Sequence, residues 1–233
     1  MIIALNNKSN LNKYEFLDYQ RKLSTLNTNS KIITCPTLLN INLYNVTKFS
    51  LGAQNVSIND EGAYTGEVSA KDLNTSGVEY CIVGHSERRA YQRETDEEIN
   101  EKIKKLFENN ITPILCVGET KEQRENLEQA NVIINEVTKA TKDLTTEEKS
   151  KLIVAYEPVW SIGTGLVPTL EQIDEIISLI KSLLPYSKVL YGGSANEKNI
   201  SMLKESNLID GYLLGGLSLK VDKLQEFINI LEG

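Results

Sequence analysis

Short, almost unbroken apolar runs alternate with amphipathic stretches from one end of this 233-residue chain to the other. That alternation limits the possible folds more than any other feature. The strand-like runs are Ile2 to Leu5, Lys31 to Cys35, Phe49 to Gln54, Val78 to Val83, Thr112 to Val117, Leu152 to Tyr156, Lys188 to Tyr191 and Gly211 to Leu214. A strand with one wet face alternates apolar and polar residues, whereas a strand covered on both faces reads as a continuous run. Covering both faces is the work of crossover helices, and helical spacing between the runs supplies them, most clearly in Ile99, Ile103, Leu106 and Phe107. Capping boxes open several of these helices: Thr95 with Glu98, Thr145 with Glu148, and Thr169 with Gln172. After Thr95 the acids Asp96, Glu97 and Glu98 lead and the lysines Lys102, Lys104 and Lys105 trail, matching the helix dipole. No linker or shift in composition divides the chain. Eight βα units predict an α/β fold, a single-domain (β/α)8 barrel over residues 1–233, because that count favours closure over an open doubly wound sheet.

Composition narrows the partners. With 40% hydrophobic and 24% charged residues the chain is globular. Its length suffices to bury a core without disulfides or metals. A net charge of -7 argues against a nucleic-acid or anionic-membrane partner, both of which require a basic face. A small anionic substrate stays compatible with it, since a local cradle of backbone N–H groups can hold one. The three cysteines, Cys35, Cys81 and Cys116, end or interrupt apolar runs and form no CxxC pair. That odd count predicts reduced thiols in a cytoplasmic protein. The opening stretch Met1 to Asn6 is too short and uncharged for a signal peptide. No run approaches the ~20 apolar residues of a membrane span.

In parallel α/β folds the functional groups project from the C-terminal strand ends. The first run ends in Asn6-Asn7-Lys8, and the fourth in Gly84-His85-Ser86-Glu87-Arg88-Arg89, which holds the only histidine. The sixth ends in Glu157, followed by Pro158, the only tryptophan (Trp160) and two glycines, Gly163 and Gly165. The seventh ends in Gly192-Gly193-Ser194 and the eighth in Gly215-Gly216. Taken singly, each has a plain reading: a solvated lysine, a structural histidine, glycines for tight turns, an ion-paired Arg88, a core Cys116. Together they place an acid, an imidazole and a lysine on one barrel mouth. The glycine loops after strands seven and eight offer N–H groups where such barrels often bind phosphate.

At this point the sequence resembles a known family. Gly84 to Arg89, the stretch Ala155-Tyr156-Glu157-Pro158-Val159-Trp160-Ser161-Ile162-Gly163-Thr164-Gly165, Tyr191 to Ser194, Leu213 to Gly216 and Gly62 to Ser69 are similar, in order, to the triosephosphate isomerase family. The likeness covers essentially the whole chain. It implies interconversion of dihydroxyacetone phosphate and glyceraldehyde 3-phosphate through an enediol(ate), with no cofactor and no metal, by a homodimer. It implies that Glu157 moves the proton while His85 and Lys8 attend the oxygens. Asn6, Lys8, Gly163, Ser194, Gly215 and Gly216 would bind the substrate, with Glu87 supporting the site. A helix opening at Ser86 would aim its positive end at His85 and favour the neutral imidazole. Pro158 to Pro168 would form a lid that excludes water, and the loop carrying Thr65 would reach the neighbouring subunit near Lys8.

Two departures from the family stand out. Asn7 stands where the family has tryptophan, and Leu166-Val167-Pro168 replaces a Lys-Thr-Ala hinge. In the family a tyrosine at the position of Tyr191 bonds a hinge N–H. Pro168 has no N–H, so that bond is expected to be absent or moved to a neighbour such as Thr169. Two other classes stay open. One is a pentulose-phosphate epimerase-like enzyme, for which a single histidine makes a poor metal site. The other is a non-catalytic barrel that binds phosphometabolites or protein partners.

Overall fold

The computed structural model describes residues 1–164 and 166–233; Gly165, within the stretch that follows Glu157, lies outside the described residues. The strands are β1 (Ile2–Asn6), β2 (Lys31–Cys35), β3 (Ser50–Ala53), β4 (Tyr80–Val83), β5 (Thr112–Val117), β6 (Ile153–Tyr156), β7 (Lys188–Tyr191) and β8 (Gly211–Leu214). They pair in parallel in sequence order and close into a barrel, with β1 against β8 from Ile2↔Gly211 to Leu5↔Leu214. The helices are α1 (Lys13–Ser24), α2 (Leu38–Ile41), α3 (Ala70–Thr75), α4 (Ser86–Gln92), α5 (Asp96–Glu108) and α6 (Lys121–Glu125). They continue with α7 (Gln129–Ala140), α8 (Thr146–Lys151), α9 (Leu170–Leu183), α10 (Ile200–Leu203) and α11 (Val221–Glu232). Two 3₁₀ turns, Val159–Ser161 and Gly216–Leu219, follow β6 and β8.

The continuous apolar runs resolve into two cores. Ala4, Ile33, Ile82, Ile114, Cys116, Ala155, Leu190 and Leu213 fill the barrel interior. Their strand neighbours Ile3, Leu5, Ile32, Val83, Leu115, Val117, Val154 and Val189 pack outward under the helices. Side chains of a strand point alternately to its two faces, so burial of both removes any polar alternation from the sequence. All three expected capping boxes form, and Asn12 with Glu15 and Thr120 with Gln123 add two more.

Where strand boundaries differ from the sequence reading, a local bond explains it. Phe49 belongs to a turn, its N–H donating to Val46 O at 3.1 Å, so β3 starts at Ser50. Val78 closes the end of α3 through Leu73 O at 3.0 Å. Cys35, Cys81 and Cys116 are buried free thiols, and burial pushes the Cys35 thiol up to about 12. Among the described residues no helix is long and apolar enough to cross a membrane.

The last βα unit depends on Phe227 of α11, fully buried and edge-on to the Tyr212 ring with centroids 5.3 Å apart. Phe227→Ala removes that contact and leaves a cavity, so it should lower stability by about 3–5 kcal/mol. Urea denaturation checks this, and a loss below about 1 kcal/mol would show that the helix layer refills the gap.

Candidate active site

The C-terminal strand ends surround a cavity of about 400 Å³ lined by Asn6, Lys8, His85, Glu157, Gly163, Ser194, Gly215 and Gly216, among others. Glu157 follows β6 directly and is 2% exposed. Close backbone packing fixes its place. Its N–H donates to Val117 O at 2.7 Å, and a Cβ on Gly118 would collide with its carbonyl oxygen. A Cβ on Gly192 would lie 2.9 Å from its Cγ. Only glycine at both positions leaves room for this carboxylate. Its Oε2 accepts the Ser86 N–H at 3.0 Å and its Oε1 lies 3.1 Å from His85 Nε2.

His85 caps α4. Its Nδ1 accepts the Glu87 N–H at 3.2 Å, so that nitrogen carries no proton. A neutral imidazole held this way bears its hydrogen on Nε2, the nitrogen that faces the cavity.

Lys8 sits in the left-handed region, at φ 51, a conformation costing a non-glycine residue roughly 1–2 kcal/mol. Local bonds hold it there. Its N–H donates to Asn6 Oδ1 at 3.0 Å, and Gln54 Nε2 donates to its carbonyl oxygen at 2.9 Å. The ammonium pairs with Glu87 Oε1 at 2.6 Å. Asn7, beside it, is buried and polar. Its Nδ2 donates to Ser218 Oγ at 3.2 Å, and Ser218 Oγ donates to Asn6 O at 3.1 Å, tying the loop after β1 to the loop after β8.

The triosephosphate isomerase family profile matches residues 1–232. The chain belongs to the triosephosphate isomerase family. A triosephosphate isomerase of Pediococcus pentosaceus is 41% identical over 98% of this chain and 97% of its own length. One from Clostridium botulinum is 39% identical over 98% of both chains, and one from Lactobacillus gasseri is 38% identical over 98% and 97%.

Against this family background, the fold gathers the residues expected to react with or bind the substrate. Glu157, His85, Lys8, Asn6, Gly163, Ser194, Gly215 and Gly216 line one cavity, and Glu87 pairs with Lys8. One detail differs from the simple picture of four available donors. The Ser194 N–H is already bonded to Ser161 Oγ at 3.1 Å. Arg88 takes its structural reading, with Nε donating to Glu94 Oε1 at 3.2 Å. In the hinge, Thr169 N–H is committed to its capping box, donating to Gln172 Oε1 at 3.0 Å. The Tyr191 hydroxyl is buried with no hydrogen-bond partner among the described residues.

Three supporting residues escaped the sequence reading. Glu119, fully buried, accepts from Tyr156 Oη at 3.1 Å and from Trp160 Nε1 at 2.9 Å, anchoring the segment after Glu157. The signal was available, because Glu119 follows β5 as Glu157 follows β6. Ser161 and Glu136 carried no comparable signal, lying within a 3₁₀ turn and a helix.

Glu136 supports the floor under Glu157. Its Oε2 accepts the Gly118 N–H at 2.8 Å and its Oε1 lies 3.5 Å from Arg89 Nη1. Burial pushes its carboxyl up to about 7, against the opposing pull of Arg89 and of the Gly118 N–H. The folded protein therefore keeps a proton that the unfolded chain releases near 4.5. Between these values stability falls as pH rises, then levels off above about 7. The loss is at most on the order of 3 kcal/mol. Glu136→Gln keeps an acceptor for Gly118 and removes the titration. Its stability relative to the parent should therefore grow between about pH 5 and about pH 8 in urea melts. A difference that stays flat with pH would contradict the raised carboxyl.

Proposed function

We propose that this chain interconverts dihydroxyacetone phosphate and glyceraldehyde 3-phosphate by moving one proton between adjacent carbons, without a cofactor or metal. The observation that carries this reading is the convergence of Glu157, His85 and Lys8 on a cavity that is also lined by the glycine loops after β6, β7 and β8. Glu157 is the base. It takes a proton from the carbon next to the carbonyl, and the bond's electron pair passes to the carbonyl oxygen, forming an enediolate. His85 Nε2–H already faces that region and donates to the developing oxyanion, where a preorganised donor contributes most. Proton exchange between the two oxygens through this nitrogen, and return of the proton from Glu157 to the neighbouring carbon, complete the isomerisation.

Lys8 adds fixed positive charge beside the substrate oxygens. Backbone N–H groups of Gly163, Ser194, Gly215 and Gly216 hold the phosphate. Asn6 keeps Lys8 in its left-handed backbone, and Glu87 orients the ammonium. The segment from Pro158 to Pro168 closes over the intermediate and keeps water out. In this reading the protein serves glycolysis and gluconeogenesis and works in the cytoplasm. Residues 1–233 act as one barrel domain with no nucleic-acid or membrane partner.

Purified protein should turn over glyceraldehyde 3-phosphate in a coupled assay with no added metal. Glu157→Asp retracts the base by roughly 1 Å and should lower kcat on the order of 10²-fold. Lys8→Ala should lower it further. Near-parent turnover in Lys8→Ala would remove Lys8 from the site.

The working form in this proposal is a homodimer. A second cavity of about 440 Å³ reaches Lys8, His85 and Glu87 from behind and is also lined by Leu38, Tyr91 and residues 66–68. Of its lining, Leu38 and Tyr91 are exposed apolar side chains, an arrangement that favours burial against a second copy. The loop carrying Thr65 is the segment that would enter the partner's groove and back Lys8. Thr65→Glu would place a charge in that groove and should yield poorly active monomers by light scattering. A fully active monomer would reject the arrangement.

A further inference from the structure

Asn7 is buried and held at both of its backbone groups. Its N–H donates to Cys35 O at 3.1 Å, and its carbonyl oxygen accepts Asn10 Nδ2 at 2.8 Å. The side-chain Nδ2 donates to Ser218 Oγ at 3.2 Å and to Tyr19 Oη at 3.4 Å. Ser218 is fully buried, with Oγ donating to Asn6 O at 3.1 Å and N–H donating to Gly215 O at 2.9 Å. A hydroxyl has a single hydrogen, and here Asn6 takes it. Ser218 Oγ therefore only accepts from Asn7, so the amide must present its NH2 group and not its oxygen. That oxygen, Oδ1, is left buried with no hydrogen-bond partner among the described residues. An apolar side chain would fill the same place and leave no such oxygen, so packing alone does not call for an amide here.

The amide holds the seam between two loops of the site. Lys8 follows Asn7 directly, and the Gly215–Gly216 turn is closed by the bond from Ser218 to Gly215 O. A Cβ on Gly215 would lie 3.2 Å from Lys8 Cε, so the lysine stem runs close against that turn. Asn6, on the other side of Asn7, accepts from Ser218 through its carbonyl and from the Lys8 N–H through its side chain. Neither Asn7 nor Ser218 lines the cavity. Any effect of theirs on the reaction must pass through Lys8 and the glycine turn.

Resting on the isomerase reading above, we propose that Asn7 is a positioning residue for that reaction, its bond to Ser218 setting the spacing between the Lys8 ammonium and the backbone N–H groups of Gly215 and Gly216. A triose phosphate has a fixed reach between its phosphate and its carbonyl oxygen. The cation that meets one and the amides that meet the other must keep a matching separation. Both contacts form in the bound substrate as well as in the transition state, so a slipped spacing shows in KM more than in kcat.

The test is a double-mutant cycle between Asn7→Leu and Ser218→Ala on the full chain. Steady-state kinetics with glyceraldehyde 3-phosphate and calorimetry with inorganic phosphate are the readouts. Asn7→Leu keeps a branched side chain and removes the donor. Ser218→Ala removes one oxygen and keeps the test decisive should Asn7→Leu fold poorly. Each should raise KM about two- to tenfold and leave kcat within about threefold of the parent. Inorganic phosphate does not span the two loops, so its Kd should stay within about twofold of the parent. The double variant should show a KM no higher than that of the worse single one. A merely structural role would lower the urea midpoint and leave KM at the parent value, and that result overturns the proposal. So does a phosphate Kd that rises as far as KM, which would mean damage to the turn itself, or single effects on KM that multiply. A parent chain that turns over no triose phosphate would instead overturn the isomerase reading beneath it.

Discussion

Closing the sheet through β1 and β8 joins two loops at opposite ends of the chain: Asn7 donates to Ser218, 211 positions away, at 3.2 Å. Lys8 and the Gly215–Gly216 turn meet only because of that closure. An open sheet of the same strands would leave β1 and β8 as separate edges and split the cation from the glycine loop. Barrel closure also leaves no free strand edge, so the ladder groups are paired all round. The energy that closes the barrel is mostly apolar burial on both strand faces. The geometry of the cavity is a consequence of it.

Within that frame a single turn arranges two groups. The start of α4 has backbone N–H groups with no partner inside the helix, as every helix start does. Here Ser86 N–H goes to the Glu157 carboxylate and Glu87 N–H goes to His85 Nδ1. One turn thus supplies a buried acid with a donor and fixes which imidazole nitrogen bears the hydrogen. This local arrangement also explains how a chain of net charge -7 can serve an anionic substrate. Lys8, the backbone amides and the α4 terminus act within hydrogen-bond reach, whereas most of the remaining charges lie at the surface, where they are screened beyond about 10 Å.

The barrel and the proposed reacting groups were legible in the sequence for the same reason. Strand burial on both faces leaves continuous apolar runs, and the residues just beyond each run must lie at one mouth. Glu157, His85 and Lys8 could be read from that rule, and Glu119 could have been. Ser161 could not. Its importance rests on two bonds to Ser194 and one to Leu166, and those depend on how far the turn after β6 tilts toward β7. Glu136 was hidden in a different way. It lies in the amphipathic helix α7 among Asn135, Val137 and Thr138, and only packing against β5 turns its carboxylate toward Gly118. Strand boundaries shifted by a residue or two wherever a turn or helix end captured the N–H, as at Phe49 and Val78.

The hinge departures gain a physical meaning from the same contacts. Pro168 offers no N–H, and the N–H of Thr169 already closes the capping box of α9. Neither can donate to the phenol oxygen of Tyr191, whose hydroxyl burial pushes up to about 12. A buried hydroxyl left without a partner costs about 1–3 kcal/mol. That cost is borne by the arrangement seen here and is relieved by any arrangement in which the phenol finds an acceptor. Capping α9 with Thr169 fixes the far hinge, while Glu119 holds Trp160 and Ser161 holds Leu166.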